Sequence, residues 1–327
     1  VSANPLSAAL QALTLPDPYA LARAQAMVIG YHTVWETEDV EVIAVEREFV
    51  APLIHPDGTE DPEWLLSGKI DLVARWNGIL TGFDHKTSSE SPSSFRTRLG
   101  MNAQATQYME GAGSLGFDLQ RFVFDVLFKP ALDPYEATPP EQRKYRKGDG
   151  QLYATQRAED ERPEDYRARI CQAIEESPEK LFQRMEVLRL ASEREAYRAT
   201  LSKDSILMDT VRQYELHAPN ENACFGYGRN CEFLPVCLGQ ASLDDVTLYR
   251  RKASIHEELE ASIPAGRRLL TNSRRQCFNR CRRLHHFQYE QGYRAVSGDT
   301  NTTFGTAVHK AIEAMWKAWP RQAKEAA

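Results

Sequence analysis

Residues 67–89, SGKIDLVARWNGILTGFDHKTSS, alternate apolar and polar positions on either side of Asn77-Gly78. Asn-Gly between two such runs is the strongest short-range signal for a two-residue type I′ hairpin, whose central residues both need positive φ. With Asn77 and Gly78 as the loop, Trp76 faces Ile79 and each cross-strand pair of residue numbers sums to 155. Asp71 is then expected opposite Asp84, and Lys69 opposite Lys86. Side chains alternate along a strand, so Asp71, Asp84 and Lys86 share one face, while Ile70, Leu72 and Phe83 point to the core.

The pattern continues on both sides. Residues 17–35 have helical spacing and 41–53 read as a strand before the hairpin. SSESPSSF (88–95) reads as a loop leading into a helix, GMNAQATQYMEGAGSL. Residues 119–130, LQRFVFDVLFKP, are β-branched and aromatic and close on Pro130, a strand. The order is therefore three strands, a helix and a strand. Residues 131–161 are polar, with TPPEQRKYRKGDG inside, and read as a mobile basic loop. Residues 162–217 have a helical pattern, 239–268 are polar, and 272–319 are helical again.

Two carboxylates directly opposed across a hairpin stand roughly 4.5–5.5 Å apart at Cβ and repel. They call for a shared proton or a cation, and an oxygen-rich set suits Mg²⁺ or Mn²⁺. The plainer alternative is a surface hairpin whose acids are neutralised by Lys69 and Lys86. Glu46, in VEREF, reads as a paired strand charge or an accessory carboxylate.

Composition narrows the classes. The chain has 327 residues, 42% hydrophobic and 26% charged, which allows one large domain or two modest ones. A net charge of −6 gives no global attraction to nucleic acid, so any such binding must come from a local patch. Seven arginines between 267 and 283 offer one: Arg267, Arg268, Arg274, Arg275, Arg280, Arg282 and Arg283. RKYRK at 143–147 offers another; the alternative for both is a solvated face. No apolar run is long enough to span a bilayer, and the first twenty residues lack the basic start of a secretory signal. The expectation is a cytoplasmic protein with no membrane partner.

In a reducing compartment six cysteines suggest metal before disulfides. Cys224, Cys231 and Cys237 fall in a short stretch with Gly226, Gly228 and Pro235. Zinc and iron–sulfur sites commonly take four cysteines, and Cys277 or Cys281 could complete the set. Cys171, within a helical pattern, reads as a small core residue.

Together these short motifs resemble the PD-(D/E)XK nuclease superfamily, in its RecB-type iron–sulfur branch of AddB-like, CRISPR-associated and phage relatives. The family's G-x-x-D matches GKID, giving Asp71, and its (D/E)-x-K matches DHK, giving Asp84 and Lys86. Its Q-x-x-x-Y helix matches QATQY, giving Gln104 and Tyr108, and its histidine motif matches FGTAVHKAIEAMW, giving His309. Its cluster cysteine matches CRRLHHFQYEQGYR, giving Cys281, with Cys224, Cys231 and Cys237 as the later three. Arg282 departs from a proline common there, and the Cys224–Cys231 spacing is long, so Cys224 is the least secure match.

The resemblance implies a restriction-endonuclease-like α/β core: a three-stranded antiparallel meander, a helix and a further strand, surrounded by helices and clasped by a [4Fe–4S] cluster. In the family the cysteine and histidine helices come first; here they come last, so the chain looks circularly permuted. The implied division is 1–238 as nuclease core with cluster loop 224–237, 239–268 as a connection, and 269–327 as helices completing the domain. The alternative is that 272–327 begins a second, truncated copy. The implied site has Asp71, Asp84 and His309 on Mg²⁺ or Mn²⁺, with the backbone carbonyl of His85 as a further ligand. Lys86 would be catalytic, and Gln104 and Tyr108 would contact phosphate or support the ligands. Arg274, Arg275, Arg282 and Arg283 would contact DNA. The implied function is a metal-dependent DNA exonuclease on single strands or ends, in recombination, repair or phage DNA processing, with a possible helicase partner. Two rivals stand beside it: a non-catalytic DNA-end-binding module, and a cysteine–zinc regulatory protein.

Overall fold

The computed structural model describes residues 4–226, 230–257, 259, 263–296 and 300–320, with the side chains of 300–302 outside the description. The elements run α1 (Pro5–Ala12), α2 (Pro18–Trp35), β1 (Val40–Ile54), β2 (Glu60–Trp76), β3 (Ile79–Ser88), α3 (Pro92–Leu99), α4 (Ala103–Ser114) and β4 (Arg121–Phe128). They continue with α5 (Pro163–Glu176), α6 (Pro178–Leu181), β5 (Phe182–Val187), α7 (Ala191–Gln213), α8 (Leu234–Cys237), β6 (Tyr249–Arg251) and β7 (Arg268–Leu270). Last come α9 (Asn272–Arg280), α10 (Arg282–His285), a π-helical turn (His286–Glu290), β8 (Tyr293–Ala295) and α11 (Thr300–Ala318).

Local chemistry starts these helices. Asp17, Ser91, Asn102 and Thr271 each precede a helix and accept a backbone N–H of its first turn. Pro18 and Pro92 follow two of them, where a missing N–H costs nothing. The hairpin turn is as expected: Asn77 and Gly78 have φ of 51° and 76°, and Trp76 pairs with Ile79.

The main sheet has the order β1-β2-β3-β4-β5, with β7 added beside the first half of β2. β1, β2 and β3 form the antiparallel meander, β3 and β4 are parallel, and β5 is antiparallel to β4. One face is covered by α1, α2, α5 and α11, the other by α3, α4, α7 and the Phe278 side of α9. This is the three-layer α/β arrangement expected of a restriction-endonuclease-like core. Phe304, Val308, Ile312 and Met315 of α11 are all buried, at helical spacing, so α11 belongs to the main core.

Several expectations change. Ile70 does not share a core with Leu72 and Phe83: it packs in the opposite layer with Phe49 and Val73. The cause is a break in regular pairing. The β2–β3 ladder stops at Leu72–Phe83, so Asp71/Asp84 and Lys69/Lys86 are not ladder pairs, and Glu46, level with Asp71 on β1, has φ of 52°. Residues 182–187 are a strand, not helix, because FQRMEV completes the sheet beside β4. The 131–161 segment is tied down. Arg157 and Arg169 each lie 4.0 Å from the Tyr135 ring, and Arg143 donates to the Thr138 and Ala158 carbonyls. Within 239–268, Tyr249 is buried against Phe233, contributing to a small third core beside the cysteines. Residues 1 and 327, expected as neighbours, lie outside the described residues. Among the described residues no helix is long and apolar enough to cross a membrane.

Candidate active site

Asp71 and Asp84 stand where β2 and β3 part, and the space between the strands is filled by side chains from two other elements. From α4 comes Gln104, whose Nε2 donates to Asp84 Oδ1 at 2.8 Å and to the Tyr108 hydroxyl at 3.0 Å. From α11 comes His309, with Nδ1 3.7 Å from Asp71 Oδ2 and Nε2 2.9 Å from Glu46 Oε1. Lys86 Nζ lies 2.5 Å from Asp84 Oδ2, and the His85 backbone N–H donates to Asp71 Oδ2 at 2.7 Å. Asp71, Asp84, Lys86, Gln104, Tyr108 and His309 therefore converge within one chain.

Two glycines make the approach possible. A Cβ on Gly68 would stand 2.8 Å from both the Phe49 and Tyr108 rings, so the glycine of GKID is what lets α4 press Tyr108 against β2. On α11, a Cβ at Gly305 would meet Thr87 Oγ1 of β3 at 3.2 Å, which brings His309 down toward the acids.

Electrostatics follow from this crowding. Burial, with Asp84 next in weight, pushes the Asp71 carboxyl up to about 6. Burial works against a charged His309, but the Glu46 hydrogen bond and Asp71 outweigh it and raise its pKa to about 9. Lys86 is likewise opposed by burial and raised on balance by Asp84 and Asp71, so it is a fixed positive charge and not a base. The Tyr108 phenol is held well above its usual range by burial and by Asp84, and stays protonated.

The expected ligand at His85 is the backbone carbonyl, and the side chain is used elsewhere. Its ring turns to the opposite side of β3, stacks on Trp316, and sets Nδ1 3.3 Å from Asp125 Oδ2. Asp125 also accepts from Tyr31 at 2.6 Å and lies 3.6 Å from Arg184. Sequence reasoning passed over Asp125, although an acid inside VFDVLF is the same signal that singled out Asp71 and Asp84. It also passed over Glu313. Glu46, His309 and Glu313 bring one donor atom each within 4.8 Å of one another, and the i, i+4 spacing from His309 was visible in the sequence. Glu46 proves to be both a paired charge and a neighbour of the site, since Lys69 takes its other oxygen at 2.9 Å.

An open groove of about 1140 Å³ begins at Lys86 and Gln104. Its lining is mixed: Ser88, Arg98, Asn272 and Gln276 beside Phe95, Leu99 and Met101. Of the four arginines expected to meet DNA, Arg274 and Arg275 are buried. Arg274 is buried between Trp64 and Tyr289, donates to His285 and the Leu269 carbonyl, and has its pKa lowered to about 10 by burial and Arg268. Arg275 reaches the groove wall, but it is buried and pairs with Asp204 at 3.3 Å. Both are structural, because apolar spacing turns this face of α9 inward. Arg283 is half-buried on the His217 carbonyl, and Arg282 is exposed. Of the others, Arg267 and Arg268 pair with Glu60 and with Glu63 and Asp209.

The cysteines gather at the third core. The Cys231 backbone N–H donates to the Cys224 carbonyl at 2.7 Å, the Asn220 N–H donates to Cys281 Sγ at 3.4 Å, and Arg283 hydrogen-bonds Cys237. Burial raises the Cys231 and Cys237 thiols, and raises buried Cys277 to about 12. Among the described residues no three cysteine sulfurs lie within 4.8 Å of one another.

A model of the PD-(D/E)XK nuclease superfamily matches residues 2–238 and 270–327. No curated protein matches the chain. The match covers most of the sequence and includes every converging site residue, and the chain belongs to the PD-(D/E)XK nuclease superfamily.

Proposed function

We propose that the protein is a divalent-metal-dependent DNA exonuclease acting on single strands or ends. The observation that carries this is the convergence of His309, Asp71, Asp84, Lys86 and Gln104, with Lys86 and Gln104 lining an open groove. Asp71, Asp84 and His309 would hold Mg²⁺ or Mn²⁺, as is usual in the family. The donor set fits: burial first and the neighbouring Asp84 second push Asp71 to about 6, and a divalent cation would offset both. Once bound, the ion supplies polarisation of the scissile phosphate and a lowered pKa for water.

The chain's own groups do the rest. Lys86 brings a protonated amine to the side of the site open to the groove, where it offsets negative charge building on phosphate oxygens. Gln104 fixes the orientation of Asp84, and Tyr108, locked against Gly68, fixes Gln104. Glu46 holds His309 by Nε2, which leaves Nδ1 turned to Asp71. The presence of both acids and the lysine in one cluster favours catalysis over a purely DNA-binding module.

The rearranged order belongs to this reading. His309 lies beside Asp71 in the same chain and α11 packs on α1, which supports a permuted domain over a truncated second copy. Cys224, Cys231, Cys237 and Cys281 are the proposed ligands of a [4Fe–4S] cluster, tested by iron and sulfide content with Cys281→Ser as control. A cubane spreads its ligand sulfurs wider than a single ion does, so the lack of a zinc-sized set does not count against it. The test of activity is digestion of 5′- and 3′-labelled single- and double-stranded DNA with Mg²⁺ or Mn²⁺. Mononucleotide release abolished in Asp84→Ala supports the reading. Absence of any cleavage by wild type, or cleavage retained by Asp84→Ala, refutes it.

A further inference from the structure

Away from the nuclease groove, His217, His286 and Glu290 bring one donor atom each within 4.8 Å of one another. Glu290 Oε2 is the shared centre, 2.8 Å from His286 Nδ1 and 3.9 Å from His217 Nε2. A tetrahedral ion with ligand bonds of about 2.0–2.1 Å sets its donors about 3.3 Å apart, which these two distances bracket. The two imidazoles stack with ring centres 3.8 Å apart, so one ring must turn about its Cβ–Cγ bond to aim both in-plane lone pairs at one ion. His217 Nδ1 is buried without a hydrogen-bond partner.

The three residues come from separate parts of the chain. His217 follows α7, while His286 and Glu290 are the ends of the π-helical turn after α10. A π-turn inside a helical run is uncommon and frequently marks a functional site. Here it keeps His286 and Glu290 on one side, toward His217. His217 and His286 line a separate groove of about 810 Å³ that also includes Arg282, Arg283 and Phe287 and shares no lining residue with the nuclease groove. All three ligands are only half-buried, so an ion could enter.

We propose that His217, His286 and Glu290 form a second metal site, for Zn²⁺ or a similar imidazole-preferring divalent ion, distinct from the nuclease centre. Two imidazoles and one carboxylate select such an ion over Mg²⁺, which prefers oxygen ligands. The two histidines share the groove wall with Arg282 and Arg283. The site would brace two chain segments that both lead to cysteines. His217 precedes Cys224 in one, and His286 follows Cys281 in the other. Its occupancy would therefore hold the third core together whatever the state of the nuclease centre.

The test is zinc stoichiometry on full-length protein stripped with chelator and then equilibrated with Zn²⁺. Wild type should bind one more zinc per chain than the double variant His217→Gln/His286→Gln and than Glu290→Gln, with metal-free circular dichroism unchanged. Equal zinc counts in wild type and both variants overturn the proposal. Histidine footprinting on wild type, with and without zinc, keeps the answer independent of variant folding. His217 and His286 should become protected together on adding zinc. If both stay reactive while zinc is bound elsewhere, on the cysteines or at Asp71 and Asp84, the site is refuted.

Discussion

Replacing Asp71 by asparagine should stabilise the metal-free protein while destroying its activity. The carboxyl is 8% exposed and its pKa rises from the ordinary 3.8 to about 6, through burial first and Asp84 second. A folded pKa above the unfolded one means that this group's contribution is fully present below pH 3.8 and is lost as pH rises through 6. At 1.36 kcal/mol per pKa unit, ionised Asp71 costs the fold about 3 kcal/mol at pH 7 and above. Asparagine removes that cost and still offers an oxygen to the His85 N–H, now 2.7 Å away. Part of the gain is returned, because Asp71 also helps hold the proton on His309. About 1–3 kcal/mol is therefore expected at pH 7.5 in chelator, shrinking toward zero near pH 4. The assay is urea unfolding of wild type and Asp71→Asn at four pH values between 4 and 8. A variant that is less stable at pH 7.5, or whose difference from wild type does not change with pH, refutes the electrostatic account of the two acids.

Lys86→Ala should lower cleavage by about 100-fold or more with the fold retained, since it removes the positive charge facing the phosphate; single-turnover cleavage and circular dichroism check this. Gly68→Ala should cost about 1–3 kcal/mol, because the added methyl meets Phe49 and Tyr108 at 2.8 Å. Its cleavage rate should fall as well, as Tyr108 and Gln104 are pushed away from Asp84; unchanged kinetics would separate Gly68 from the site. Arg274→Ala should lower the melting temperature yet leave the salt dependence of DNA binding intact, because Arg274 is enclosed by Trp64 and Tyr289. Arg98→Ala, on the groove wall, should reduce the salt slope by about one with little loss of stability, read from binding titrations at several salt concentrations.

The sequence alone determined whatever depends on neighbours along the chain. The Asn77-Gly78 turn, the strand periods around it, the caps at Asp17, Ser91 and Asn102, and the buried stripe of α11 are local matters of φ, hydrogen bonding and periodicity. Hairpin register singled out Asp71, Asp84 and Lys86, while Gln104, Tyr108 and His309 came from the resemblance of QATQY and FGTAVHKAIEAMW to motifs of the superfamily. Tertiary structure decided what those residues touch. The β2–β3 ladder opens just before the two acids, so Asp71 and Asp84 are joined by His309 and Gln104 from distant helices instead of facing each other as a strand pair. Charge runs gave the least reliable reading. Whether an arginine meets solvent or a carboxylate depends on which side of its helix packs inward, and Asp204 and Trp64, which claim Arg275 and Arg274, lie far off in sequence. The same holds for His217, His286 and Glu290, whose meeting depends on the chain returning past the end of α7, a long-range closure that no local pattern encodes.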